Sequence, residues 1–222
     1  MASVSASQVG TRNFGGRVLR EPEYWEEAKA ALRAADPVLR AIIDEHEEPP
    51  LRSKGRVFET LVHSIVGQQI SAKAADAVWK RFVDLVGTVD PDPVQAQSVE
   101  DLRAVGLSGR KVEYIQGLAA DARWVDEIDW SPLTDDEVRK RLTALRGVGP
   151  WTAEMVLIFS LLRPDIFPLG DIGIVRSVER LYAEGRRLDP EELLAQAAPW
   201  EPYRTVAVWY LWRFLDAEPV EY

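Results

Sequence analysis

The run LRGVGPWTAEMV at residues 145–156 sets two glycines around one valine, between two segments of helical apolar periodicity. A turn built this way leaves backbone N–H groups uncovered by side chains. The helix that follows adds unpaired N–H groups and a partial positive charge, so the turn suits a phosphate. Pro150 fits the first helical position, where an N–H has no intrahelical partner. Val148 is expected to plug the groove between the helices. Taken alone, a Gly-x-Gly between helices is more often a tight turn with no ligand. Arg139, Lys140, Arg141 and Arg146 shift that balance by adding charge nearby. A weaker echo lies upstream, where Gly106 and Gly109 precede Arg110 and Lys111. Two such turns could grip two parts of a sugar–phosphate backbone.

Three other features invite chemistry, each with a plainer alternative beside it. Asp171, preceded by Leu-Gly and followed by Ile-Gly-Ile-Val-Arg, reads most simply as a helix N-cap. The chain carries 8 tryptophans, which for any one of them usually means packing. Gln68 and Gln69, after an apolar helix, read as polar loop surface. His46 and His63 without any cysteine make a weak case for a metal.

The elements that must position these residues are helical almost throughout, with no convincing strand alternation. Val57, Leu61 and Ile65, with Phe58, Val62 and Val66, mark one buried stripe. Further stripes follow at Ala75–Val86, Val112–Val125, Val138–Leu145, Met155–Leu162 and Ile174–Leu181, and a last helix is expected from Tyr203 to Phe214. Thr134-x-x-Glu137 and Ser98-x-x-Asp101 look like capping boxes. Asp36-Pro37 and Asp189-Pro190 put an N-cap before a first-turn proline, and Ser71 can cap the second stripe. Gly106, Gly147, Gly149 and Gly170 fall between helices, where turns call for positive φ. Residues 1–20 are expected to be partly disordered.

Composition bounds the rest. With 222 residues, 46% hydrophobic and 28% charged, the chain is ordinary for a folded domain or two. The absence of cysteine excludes disulfides, thiolate zinc sites, cysteine nucleophiles and iron–sulfur clusters. No signal-like or membrane-spanning run stands out, so a cytoplasmic protein without a membrane role is expected. The net charge of −9 argues against nucleic acid, but its distribution is uneven. Residues 21–50 hold nine acids against three bases; residues 52–81 hold six bases against two acids. A basic face can hide under that average, although basic runs are often only solvated helix faces.

These residues resemble the helix-hairpin-helix superfamily of base-excision DNA glycosylases. The likeness is carried by LRGVGPWTAEMV with FPLGDIGIVRSVERLY at 167–182. LVHSIVGQQISAKAADAVWKRF at 61–82, GLSGRKVEYIQGLA at 106–119 and WEPYRTVAVWYLWRF at 200–214 support it, with ALRAADPVLRAII at 31–43 a looser match. It spans residues 30–215 and is nearest to the 3-methyladenine DNA glycosylase II type. It implies an all-α fold of two helical lobes with a cleft between them and no iron–sulfur cluster. One lobe would combine residues 1–55 and 164–222. The other, 56–163, would carry the hairpin at about 137–162.

The resemblance also implies roles. Asp171 falls at the catalytic aspartate. Trp151 stands where bifunctional members have a Schiff-base lysine, which points to a monofunctional hydrolase without lyase activity. Trp151 and Trp212 match base-pocket positions, and Met155 and Ile172 replace tyrosines there, which implies a less aromatic pocket. Gln69 takes the position that wedges into DNA beside the extruded nucleotide. Gly147, Val148, Gly149, Thr152, Arg110 and Lys111 would hold DNA. A structural monovalent cation on the carbonyls of Leu145 and Val148 is the one cofactor implied. The partner would be double-stranded DNA carrying alkylated bases, handled by a monomer that is nucleoid-associated when acting. A non-catalytic damage-binding protein of the same fold and an all-helical protein-interaction scaffold stay open as alternatives.

Overall fold

The computed structural model describes residues 9–14, 17–46 and 50–215. Two strands, β1 (Val9–Phe14) and β2 (Arg17–Pro22), pair antiparallel, with Val9 opposite Pro22 and Phe14 opposite Arg17. The strand pair departs from the disorder expected over residues 1–20; residues 1–8 lie outside the described part. Backbone bonds in both directions between Arg20 and Ser53 extend the pairing (2.8 and 2.9 Å). Helices follow: α1 (Trp25–Ala35), α2 (Pro37–Glu45), α3 (Val57–Gly67), α4 (Ala72–Val86), α5 (Pro91–Gln95), α6 (Val99–Ala104), α7 (Gly109–Asp121), α8 (Asp135–Thr143), α9 (Pro150–Met155), α10 (Ile172–Tyr182), α11 (Pro190–Ala197) and α12 (Arg204–Leu215). The α9 helix runs on into a π-helical turn at Val156–Ser160. Among the described residues no helix is long and apolar enough to cross a membrane.

The chain forms two compact units, one from the segments up to Gly55 and from Leu157 onward, the other from Arg56–Val156. The second crossing therefore falls between Val156 and Leu157, ahead of the 163/164 position expected from sequence.

The first unit is organised by Asp36. Its carboxylate is 6% exposed. Oδ1 accepts the N–H groups of Val38 and Leu39 at the start of α2, and Pro37 takes the first helical position. Oδ2 accepts the Tyr182 hydroxyl and the Trp200 indole N–H, both at 2.8 Å. One buried anion thus ties α2 to the end of α10 and to the turn before α12. Burial and the bond to Asp36 push the Tyr182 hydroxyl far above its ordinary pKa. Around this node pack Trp25, Leu32, Leu39 and Ile43 from α1 and α2, Ile174 and Val178 from α10, and the continuous run Thr205–Leu211 of α12.

The segment leading to Asp171 is held by the start of α12. Arg204 makes a bidentate pair with Asp165 (2.6 and 2.8 Å). The Thr205 hydroxyl donates to Arg163 O and accepts Ile166 N–H. Tyr24 Oη donates to Leu162 O (2.8 Å).

In the second unit α3 is buried along its whole length, including Glu59, Thr60, His63 and Ser64. Its own N-cap residue, Arg56, offers no cap; Asp126 supplies it from 69 residues away, accepting Val57 N–H (2.6 Å) and Phe58 N–H (3.2 Å). His63 stacks on Trp79 at 4.3 Å, which accounts for it as core. Caps read from sequence are present at Ser71, Ser98, Thr134 and Asp189, the last two as full capping boxes.

Replacing Asp36 with alanine leaves two backbone N–H groups, a phenol and an indole without their shared acceptor. The expected cost is about 3–5 kcal/mol, which lowers the thermal midpoint by roughly 6–20 °C for a chain of this size. Tyr182→Phe removes one donor and costs about 1 kcal/mol. Differential scanning calorimetry of the two variants checks the ranking.

Candidate nucleic-acid interface and active site

The hairpin between α8 and α9 turns at residues 144–149. Gly147 has φ +87°, a conformation open to glycine at little cost. A Cβ there would lie 2.4 Å from Cγ of the Tyr114 ring, so α7 packs directly under the turn. Gly149 is different. Its φ is −94°, not the positive value expected, and a Cβ would meet nothing within 4 Å. No neighbour among the described residues demands glycine there. Val148 is 6% exposed and plugs inward as expected. Arg110, Lys140 and Arg141 are exposed. Arg146 pairs with Glu113 of α7 (2.5 Å), and Arg139 pairs with Asp136 and approaches Glu154.

The loop after α3 leans on the same hairpin. Gln68 Nε2 donates to Gly147 O (3.3 Å) and to Thr152 Oγ1 (3.2 Å). Gln69 is exposed and left-handed, φ 59°, at a steric cost of about 1–2 kcal/mol for a residue with a side chain. Ile70 beside it is 40% exposed. The Lys111 ammonium donates to Val66 O at the end of α3 (2.7 Å), and burial lowers its pKa. It braces α7 against α3.

The carboxylate belongs to the other unit. Asp171 caps α10, with Oδ1 accepting Ile174 N–H at 2.9 Å. The Trp212 indole N–H reaches the same oxygen at 3.3 Å. Trp212 is stacked on Phe159 (5.5 Å, 19° between planes), which fixes its plane. Gly173 clears room: a Cβ there would stand 3.0 Å from Asp171 Oδ1 and 3.3 Å from Leu215 Cδ1. Ser177 Oγ lies within hydrogen-bonding distance of Gly173 O and Leu211 O (3.0 and 3.2 Å), locking α10 to α12 behind the carboxylate.

The structure therefore brings Asp171 and Trp212 together, with Ile172 beside them at 67% exposure. It separately gathers Gly147, Thr152 and Gln68. Trp151 is half-buried on α9. Met155 is 1% exposed. Gln68 and Tyr114 were missed as contributors. Their partners are a backbone carbonyl and a bare glycine, which leave no mark in a residue pattern. Among the described residues no group of three or more His, Asp or Glu side chains could hold a metal ion.

Residues 62–202 match the family described as HhH-GPD superfamily base excision DNA repair protein. The putative DNA-3-methyladenine glycosylase YfjP of Bacillus subtilis is 32% identical over 190 residues, 80% of this chain and 66% of that protein, so the chain spans just under two thirds of that relative's length. The solved structure of the Schizosaccharomyces pombe 3-methyladenine DNA glycosylase Mag1, in complex with abasic DNA, matches with TM-score 0.75 and 29% identity over 84% of this chain and 95% of that one. A DNA-3-methyladenine glycosidase from Bacillus halodurans matches with TM-score 0.67 and 37% identity over 86% and 89%. A profile that covers most of the chain, and the mostly helical fold it shares with these structures, bring the sequence resemblance to a definite family: the chain belongs to the HhH-GPD superfamily of base excision DNA repair proteins.

Proposed function

We propose that the protein is a monofunctional DNA glycosylase that excises alkylated bases, of the 3-methyladenine and 7-methylguanine class, from double-stranded DNA. The observation that carries this reading is the carboxylate of Asp171, anchored through one oxygen by a helix N–H and an indole N–H. The target nucleotide turns out of the stack at a cost of a few kcal/mol, least for a damaged pair. The C1′–N bond then breaks with its electron pair leaving on the base. Asp171 faces the positive charge that grows on the deoxyribose and stabilises it electrostatically. Water adds at C1′ and loses its proton to the same carboxylate or to solvent, giving free base and an abasic site. Alkylation at N3 or N7 makes the purine cationic, so it leaves readily and is attracted to an indole face such as that of Trp212 beside Asp171. Tryptophan at 151 offers no amine for a Schiff base, so strand cleavage by lyase chemistry has no nucleophile there.

The hairpin is the phosphate site. Gly147 is glycine because Tyr114 and a positive φ require it, but Gly149 has no such internal reason. Close approach of a phosphate to its backbone supplies one. The Leu145 carbonyl accepts Val148 N–H (3.2 Å) and keeps a second lone pair. With the Val148 carbonyl it would offer oxygen ligands to a monovalent cation, which would add positive charge beside the turn. Gln69 fills the gap left by the extruded nucleotide, and Arg110, Lys140 and Arg141 add exposed charge to a chain that is acidic overall. The protein acts as a monomer.

Asp171→Asn is expected to slow release of methylated purine from a duplex by about 10²–10³-fold, with DNA affinity kept; base release at the wild-type rate would defeat the assignment. Gly149→Ala should leave the unfolding midpoint within about 0.5 kcal/mol of wild type and weaken DNA binding. Gly147→Ala should cost about 2–4 kcal/mol through strain and the Tyr114 clash. Urea titration with fluorescence anisotropy on labelled duplex separates the two glycines. Raising salt from 50 to 200 mM should weaken binding by roughly 10–40-fold if two or three phosphates are contacted.

A further inference from the structure

We propose that Gln68 is a positioning residue that locks the gap-filling loop to the phosphate-binding hairpin, so that Gln69 is presented ready-made for insertion. The inference rests on the reading of Gln69 and the hairpin given above, and adds a residue to which no role in that reading was attached.

The geometry is confined to the Arg56–Val156 unit. Gly147 O can only accept, so the group that reaches it must be the amide NH2 of Gln68, and the orientation of the side chain is fixed. The same nitrogen reaches Thr152 Oγ1, one residue past the hairpin tryptophan. Gln68 therefore clamps both sides of the glycine turn, at 147 and at 152. Its own backbone N–H closes the end of α3 on Ser64 O and Ile65 O. The residue is held at both ends, and the next residue inherits the constraint.

That next residue is Gln69, in the left-handed region. A side-chain-bearing residue stays there only when its surroundings over-determine the conformation. On one flank stands the Gln68 clamp. On the other, Ile70 N–H approaches Gly67 O at 3.5 Å and Ser71 caps α4 through Ala74 N–H. Lys111 on Val66 O and the Tyr114 ring under Gly147 brace both partners from α7. The loop and the hairpin are thus registered against each other before any DNA arrives. A wedge already in shape avoids the ordering cost of insertion. Without the clamp, Gln69 relaxes out of its strained conformation and must be re-formed at each encounter.

The test is a double-mutant cycle on the full chain with a duplex carrying one 7-methylguanine and a 2-aminopurine beside it. Gln68→Leu removes both donated bonds; Gln68→Met keeps the length and removes the NH2 without adding charge, which serves if the leucine variant fails to fold. Each, like Gln69→Ala, should slow the 2-aminopurine fluorescence rise that reports unstacking by about tenfold, with affinity for undamaged duplex changed less than about twofold. Combined with Gln69→Ala, neither Gln68 change should slow it further. Losses that multiply in the double variant, equal loss of affinity for undamaged duplex, or Gln68 variants that unstack at the wild-type rate would each overturn the role. Failure of the glycosylase reading is told apart because it removes base release in the wild-type protein, while the fluorescence rise still reports insertion.

Discussion

Two donors converging on a single oxygen of Asp171 set the terms for the rest of the molecule. An N-cap bond alone fixes a carboxylate only loosely about its χ angles. The second bond, from Trp212, defines the plane. The indole can do this because Phe159 stacks on it, and α10 keeps its place against α12 because Ser177 bridges Gly173 and Leu211. At the far end of α10, Tyr182 is held by buried Asp36. Helix α10 is thus pinned at both ends by carboxylate bonds, one half-buried at its start and one sealed in the core. Preorganised charge of this kind needs no reorganisation as positive charge develops on a sugar.

The other unit meets a different constraint. On the proposed reading an acidic protein holds a polyanion, which calls for contacts that are few and well aimed. Backbone amides at a glycine turn are suited to that, since they need no net charge. Several cations near the hairpin are already committed within the protein: Arg146 to Glu113, Arg139 to Asp136, and Lys111 to the end of α3. What they provide is rigidity, and rigidity places the turn.

Much of this architecture was legible in residue order. Asp36-Pro37, Asp189-Pro190 and Thr134 with Glu137 mark helix starts, because an N-cap is a local bond between neighbours. The glycine turn and Asp171 were visible for the same reason. Features resting on distant backbone were not. The cap of α3 comes from Asp126, Lys111 bonds a carbonyl that any residue would supply, and Gln68 finds Gly147 across 79 positions. Helix α12 is buried at seven consecutive residues, so it carries no clean polar face. The strands β1 and β2 escaped notice because a lone pair of short strands need not alternate. The near-complete burial of Met155 is set by packing, which spacing does not reveal.

The discontinuous first unit has a consequence during synthesis. The Arg56–Val156 unit has all its residues available early, whereas α1 and α2 wait with Trp25, Leu32 and Ile43 uncovered until α12 leaves the ribosome. Helix α12 also brings Trp212. A chain cut short before α12 lacks that indole donor and leaves Asp171 with its helix-cap bond but no partner to set its plane.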